Sequence, residues 1–120
     1  MPSATLLLFN FSPDKAGILR ETAAALGVKT REVRPDEHKK PLTALLAGPA
    51  GPLSAPAAPA FSEEMLVMAG FDRALIDRFL DRIRPLTPGV LKAAATAYNL
   101  FWTGETLARE LLEERQRLRG

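Results

Sequence analysis

Two stretches of the chain, sixty residues apart, carry the same alternation of apolar and polar positions. The first is the apolar run Leu6-Leu7-Leu8-Phe9-Asn10-Phe11 followed by an amphipathic segment from Ser12 to Leu26. The second is Met65-Leu66-Val67-Met68-Ala69-Gly70-Phe71 followed by Asp72 to Arg84. Phe11 coincides with Phe71, and Ala16, Leu19 and Ala23 coincide with Ile76, Phe79 and Ile83. Each unit reads as a strand, a corner and a helix, and repetition of that unit implies a layered α/β architecture.

The first strand, Thr5 to Phe11, is apolar at consecutive positions, so both of its faces need cover, as in the centre of a sheet. Ser12 is a natural N-cap, Pro13 has the φ angle wanted at the first helical position, and Asp14 suits the positive helix end. Gly27 supplies the stop. A second strand over 28–34 carries Lys29, Arg31 and Glu32, as an edge strand would. Pro41 opens a short helix to about Ala47. Gly48 to Ala60 is rich in proline and alanine, has little to bury, and reads as a surface linker. Strand three spans 65–70, and the helix after it runs from Asp72 to about Arg84, where Pro85 ends it. Over 90–97 the residues Leu91-Lys92-Ala93-Ala94-Ala95 favour helix by propensity. Their position, between a helix ended by Pro85 and one opened at Thr103, favours a last strand, and a strand is the expectation.

The pattern predicts one α/β domain over 1–120 with the internal linker at 48–60, in the order βαβαβαβα. Right-handed crossovers place a parallel four-stranded sheet in the order 2-1-3-4 with helices on both faces. The alternative is a ferredoxin-like split βαβ sheet in the order 4-1-3-2. The two differ in whether strand three runs parallel or antiparallel to strand one.

Composition narrows the chemistry. The 120 residues are 47% hydrophobic and 25% charged, ordinary for a globular protein. The absence of cysteine removes disulfides, thiolate metal sites and cysteine nucleophiles together. The start, Met1 to Thr5, lacks the basic leader and long apolar core of a signal peptide, and no run approaches a membrane span. A soluble cytoplasmic protein is the expectation. A formal net charge of +2 invites nucleic acid only weakly, because pairs such as Glu105/Arg109 and Glu113/Arg117 neutralise one another at i,i+4 spacing.

His38 is the only histidine. Asp36, Glu37, Lys39 and Lys40 around it read as a solvated turn, and neighbours one or two apart seldom give the geometry of a general base. A lone histidine without cysteine forms no recognisable metal set, and no cofactor is expected. The corners at Asn10-Phe11-Ser12 and Gly70-Phe71-Asp72 are better candidates, since ligands of open α/β sheets bind beyond strand carboxyl ends, near helix N-termini. Asn10 and Ser12 offer side-chain hydrogen bonds, Gly70 allows close backbone approach, and Asp72 could meet an ammonium group. Both Ser12 and Asp72 are also ordinary caps. No glycine-rich phosphate loop appears. Tyr98-Asn99-Leu100-Phe101-Trp102-Thr103 gathers three aromatics before a helix. It reads as a mostly buried seal capped by Thr103, or as a stacking wall in which Asn99 anchors a small ligand beside Trp102.

That last segment, from Thr96 with Leu107 and Glu110-Leu111-Leu112 after it, resembles the closing motif of a family of short bacterial proteins known only as a domain of unknown function. Met65 to Phe71 and the Leu75 to Ile83 helix resemble the opening of that domain. The likeness spans 65–114 and is most specific at Thr96, Asn99 and Trp102. Relatives carry more β-branched residues in place of Ala93-Ala94-Ala95, which implies a strand there. The resemblance brings no activity with it. A non-catalytic module is therefore expected, binding a small carboxylate or zwitterionic ligand or a protein partner through Asn10, Ser12, Gly70, Asp72, Asn99, Trp102 and Thr103 along one shared edge. An enzyme using His38 and a weak nucleic-acid binder are the alternatives.

Overall fold

A computed structural model describes residues 4–48 and 58–119. The element order is β1 (Thr5–Phe9), α1 (Pro13–Ala25), β2 (Lys29–Val33), α2 (Leu42–Ala47), β3 (Met65–Ala69), α3 (Arg73–Ile83), β4 (Leu91–Ala94) and α4 (Gly104–Arg119). Short 3-10 turns follow β2 at Pro35–Glu37 and α3 at Arg84–Leu86. The strands form one sheet in the order β2-β1-β3-β4. The order and the elements are those that the apolar pattern predicts. Most of the expected linker, 49–57, lies outside the described residues.

Alternation along the two central strands divides the core between the two faces. Leu6, Leu8, Leu66 and Met68 pack with Ala16 and Leu19 of α1 and Phe79 and Ile83 of α3. Leu7, Phe9, Met65 and Val67 pack with Leu42 and Leu45 of α2 and Leu107 and Ala108 of α4. Every residue of β3 is buried. The edge strands are more polar, and Arg31 on the α2 side of β2 reaches the buried Glu37 carboxylate and the Leu45 carbonyl, the latter at 2.7 Å.

The sheet is mixed rather than wholly parallel. β1 pairs in parallel with β2, and β3 with β4, but β1 and β3 run antiparallel. The physical reason lies in the connection after α2. Leu46 near the end of α2 lines the same cleft as Thr5, where β1 begins. On the far side of the connection, the Phe61 carbonyl accepts from Asn10, just past the end of β1. The connection thus returns the chain to the end where β1 finishes, and β3 must run back. About 3.1 Å per extended residue makes such a segment long enough to cross a five-residue strand.

The result is an approximate twofold relation between the halves. Leu7 pairs with Val67, its own counterpart sixty residues on, and a position that pairs with its counterpart marks a twofold axis. Asn10 and Gly70 end the two strands with φ of 68° and 75°. Ser12 and Asp72 cap the two helices by accepting from Lys15 and Leu75 N–H. Beyond the first helices the offset becomes 62. The N–H of Lys29 donates to Ala4 O at 3.1 Å, and that of Leu91 to Glu64 O at 2.9 Å. Pro41 bridges to its counterpart Thr103. Thr43 N–H donates to Leu100 O at 3.1 Å, and Glu105 N–H to His38 O at 3.0 Å, one bond being the image of the other.

Candidate functional site

Because β1 and β3 are antiparallel, the expected single edge does not exist. Asn10 and Ser12 lie at one end of the sheet, where β1 finishes and β3 starts, whereas Gly70, Asp72 and Asn99 follow strands that finish at the other. The polar groups at these positions are also engaged locally. Asn10 Nδ2 donates to the carbonyls of Phe61 and Glu63, each at 2.9 Å. Asn99 Oδ1 accepts from Thr96 N–H at 2.8 Å and its Nδ2 donates to Ala94 O at 3.1 Å. These bonds close a rigid turn after β4. Thr103 Oγ accepts from Thr106 N–H at 3.1 Å as the cap of α4. Trp102, expected to be mostly buried, is half-buried against the α2/α4 core, with Tyr98 edge-on at 5.5 Å. Its carbonyl accepts from Leu42 N–H at 2.8 Å, which helps to seat the start of α2.

His38 departs most from expectation. It is not a solvated turn residue: only 1% of its surface is exposed. Its ring stacks on Phe61 with centroids 4.6 Å apart and lies 5.7 Å from Phe9. Nδ1 accepts from Ala60 N–H at 3.2 Å, so the proton of the neutral ring sits on Nε2, which is buried without a partner among the described residues. Burial pushes its pKa below the ordinary value, against the weaker upward pull of Glu105, Asp36 and Glu37. The charged neighbours suggested solvent, but Phe61, twenty-three residues downstream, folds over the ring. Among the described residues, no group of three histidine and acidic side chains is arranged to hold a metal ion.

The Gly70 end carries a cleft of about 650 Å³, within the range of small-ligand sites. Its floor and walls are Ala69 and Gly70 from the end of β3, Ala95 to Ala97 and Leu100 from the turn after β4, and Leu46 of α2. Thr5 at the start of β1 and Lys29 at the start of β2 also line it, and among the described residues Lys29 is the only charged one that does. Of the residues expected to share one site, only Gly70 lines this cleft; Asn10, Ser12, Asp72, Asn99, Trp102 and Thr103 do not. Lys29 and Thr5 were missed from sequence, because they precede strands and a search confined to strand carboxyl ends passes over them. A second hollow of about 560 Å³ lies beside Phe61, lined by Lys39, Glu105, Arg109 and Glu113 among others. There Arg109 is already paired with Glu105 at 3.1 Å, and the charges are mixed.

Residues 64–118 match the family model described as a domain of unknown function, DUF3783. The matched part covers β3, α3, β4 and nearly all of α4, which is one of the two related halves. No curated protein and no solved structure matches the chain. Among the described residues, no helix is long and apolar enough to cross a membrane.

Proposed function

We propose that the protein is a non-catalytic binding module whose site is the cleft at the Gly70 end, and that its ligand bears a carboxylate. The observation that carries this reading is a cation in an otherwise uncharged lining: among the described residues of the cleft, Lys29 stands with apolar groups, two threonines and a glycine. A cation beside apolar walls favours an anionic partner. The sealed position of His38 and the use of its Nδ1 by Ala60 support a structural role for the one histidine.

A panel of amino acids and small carboxylates, titrated against ¹⁵N-labelled protein, tests this. Shifts are expected at Lys29, Gly70, Thr96 and Leu100, and Lys29→Met should weaken binding at least tenfold, as losing a charge-assisted contact of about 1.5–3 kcal/mol implies. A panel that moves none of these amides at about 10 mM, weaker than millimolar affinity, refutes the proposal. A second reading, docking of a protein partner, is favoured by Tyr98 and Phe101, which are 82% and 75% exposed on a backbone fixed by the Thr96–Asn99 turn. Rigid presentation of aromatics lowers the ordering cost of an interface.

A further inference from the structure

The segment 58–63 is a surface stretch outside any helix or strand, and one of the groups that hold it titrates. Ala58, Pro59, Ala60 and Ser62 are exposed, and Phe61 is the side chain that packs against the α2/α4 core. At the β3 end, Asn10 Nδ2 holds the carbonyls of Phe61 and Glu63, and Glu64 is fixed by the bond from Leu91 N–H. Further from the strand, His38 stacks on the Phe61 ring and accepts from Ala60 N–H through Nδ1. His38 is itself anchored from the opposite side. Its N–H donates to Pro35 O at 3.2 Å and its carbonyl accepts from Glu105 N–H at 3.0 Å. The imidazole thus stands between a backbone fixed by the Pro35–Glu37 turn and α4, and a segment that no ladder fixes.

We propose that residues 58–63 form a latch that neutral His38 holds shut and that a proton on Nδ1 releases while the sheet stays folded. The neutral ring has one acceptor nitrogen, and Ala60 uses it. A proton there turns the acceptor into a donor that faces the Ala60 N–H, and it puts a charge on a residue only 1% exposed. Lifting the segment relieves both, because Nδ1–H then meets water. The carboxylates that favour the charged ring stay in place: Asp36 and Glu37 in the turn, and Glu105 of α4. Phe9 of β1 and Phe61 of the segment bring no charge to the ring, and Lys39 lines the adjoining hollow together with Glu105. The bond from Asn10 to Glu63 O, next to β3, acts as the hinge, whereas the bond to Phe61 O is lost with the ring contact. Release uncovers Phe9, which is fully buried, and reshapes the hollow of about 560 Å³ that takes Ala58 to Phe61 as one wall. The latch lies at the opposite end of the sheet from the Gly70 cleft and does not depend on what that cleft binds.

Native-state hydrogen exchange on the full ¹⁵N-labelled chain, at pH 7.5, 6.5 and 5.5 and at low urea concentrations, tests the latch. The Ala60 amide should be less protected than those of Leu7 and Val67 in the central strands. Its exchange should also respond far less to urea, since a local opening exposes much less surface than unfolding. Below pH 6.5 its protection factor should fall by up to about tenfold per pH unit, because the released state takes the proton first. His38→Asn sets an amide oxygen near the position of Nδ1 and does not titrate, so in that variant Ala60 should keep its protection at pH 5.5. Ala60 protection that matches Leu7 and Val67 in size and in urea response means that the segment leaves only on global unfolding, which overturns the proposal. A protection factor in the wild type that stays constant from pH 7.5 to 5.5 overturns it too, as does an equal fall in the His38→Asn protein. The wild-type series decides the question by itself if the asparagine variant fails to fold.

Discussion

Acidification should destabilise the protein through His38, and the size of the effect follows from the way the ring is held. In the native state Nδ1 is an acceptor for Ala60 N–H and Nε2 already carries the proton. A second proton must go to Nδ1, where it would face another donor and break that bond. The ring is 1% exposed, and burial pushes its pKa below the ordinary 6.5, with Glu105, Asp36 and Glu37 only partly opposing. The unfolded chain has a histidine pKa near 6.5. Above that value the ring is neutral in both states and contributes no pH dependence. Below it the unfolded state binds the proton and the native state does not, so stability falls as pH falls and levels off beneath the native pKa. The loss accrues at up to about 1.4 kcal/mol for each pH unit over which only the unfolded state is protonated. Urea unfolding of the wild type and of His38→Phe, at pH 7.5, 6.5 and 5.5, measures it. The phenylalanine keeps a ring against Phe61 and loses the Ala60 bond, so it should be less stable by about 1 kcal/mol at pH 7.5 yet lack the histidine component of the slope. An identical fall with pH in both proteins would refute the reasoning.

Glu37 is fully buried and holds Arg31 as well as the Arg34 N–H at 3.0 Å. Glu37→Ala leaves Arg31 without its carboxylate and should cost about 3–5 kcal/mol in urea unfolding, with Glu37→Gln costing less. Asn10→Gly keeps the positive φ and deletes two bonds to the incoming strand, for a loss of about 1–2 kcal/mol. Asn10→Ala should lose about 1 kcal/mol more through left-handed strain, and equal stability of the two variants would contradict that account.

The order of strands was legible because Leu6 to Phe9 and Met65 to Ala69 are apolar at every position, which only a doubly covered centre accommodates. Their relative direction was not. It depends on where a proline-rich connection, with no periodicity of its own, returns the chain. A sequence shows the composition of such a segment but not the end of the sheet at which it arrives. His38 was misread for a related reason. Its burial depends on Phe61, and no local pattern connects a histidine among charged residues to a phenylalanine beyond the linker. The corners were read better. Ser12, Asp72 and Thr103 cap helices as their residue types and positions suggest. Asn99 also proved local, closing a turn onto Thr96, a short-range arrangement such residues often make.

The division of the cleft between the two halves bears on how far the family match reaches. Ala69, Gly70, Ala95 to Ala97 and Leu100 all fall within the matched residues 64–118. Thr5, Lys29 and Leu46 come from the other half, to which the match does not extend. Most of the apolar walls thus belong to the matched residues, while Lys29, the only charged residue among the described ones that line the cleft, is supplied across the approximate twofold axis. At the Asn10 end the contributions reverse: Phe9, Asn10 and His38 come from the first half, and Phe61, immediately before the matched region, fills the space between them. Each end therefore needs both halves. Two related halves have kept a common backbone plan and differ at the side chains that decide whether an end is closed. Phe9, Asn10 and His38 close one around Phe61, and at the other Ala69, Gly70 and Leu100 line a cleft beside Lys29 among the described residues.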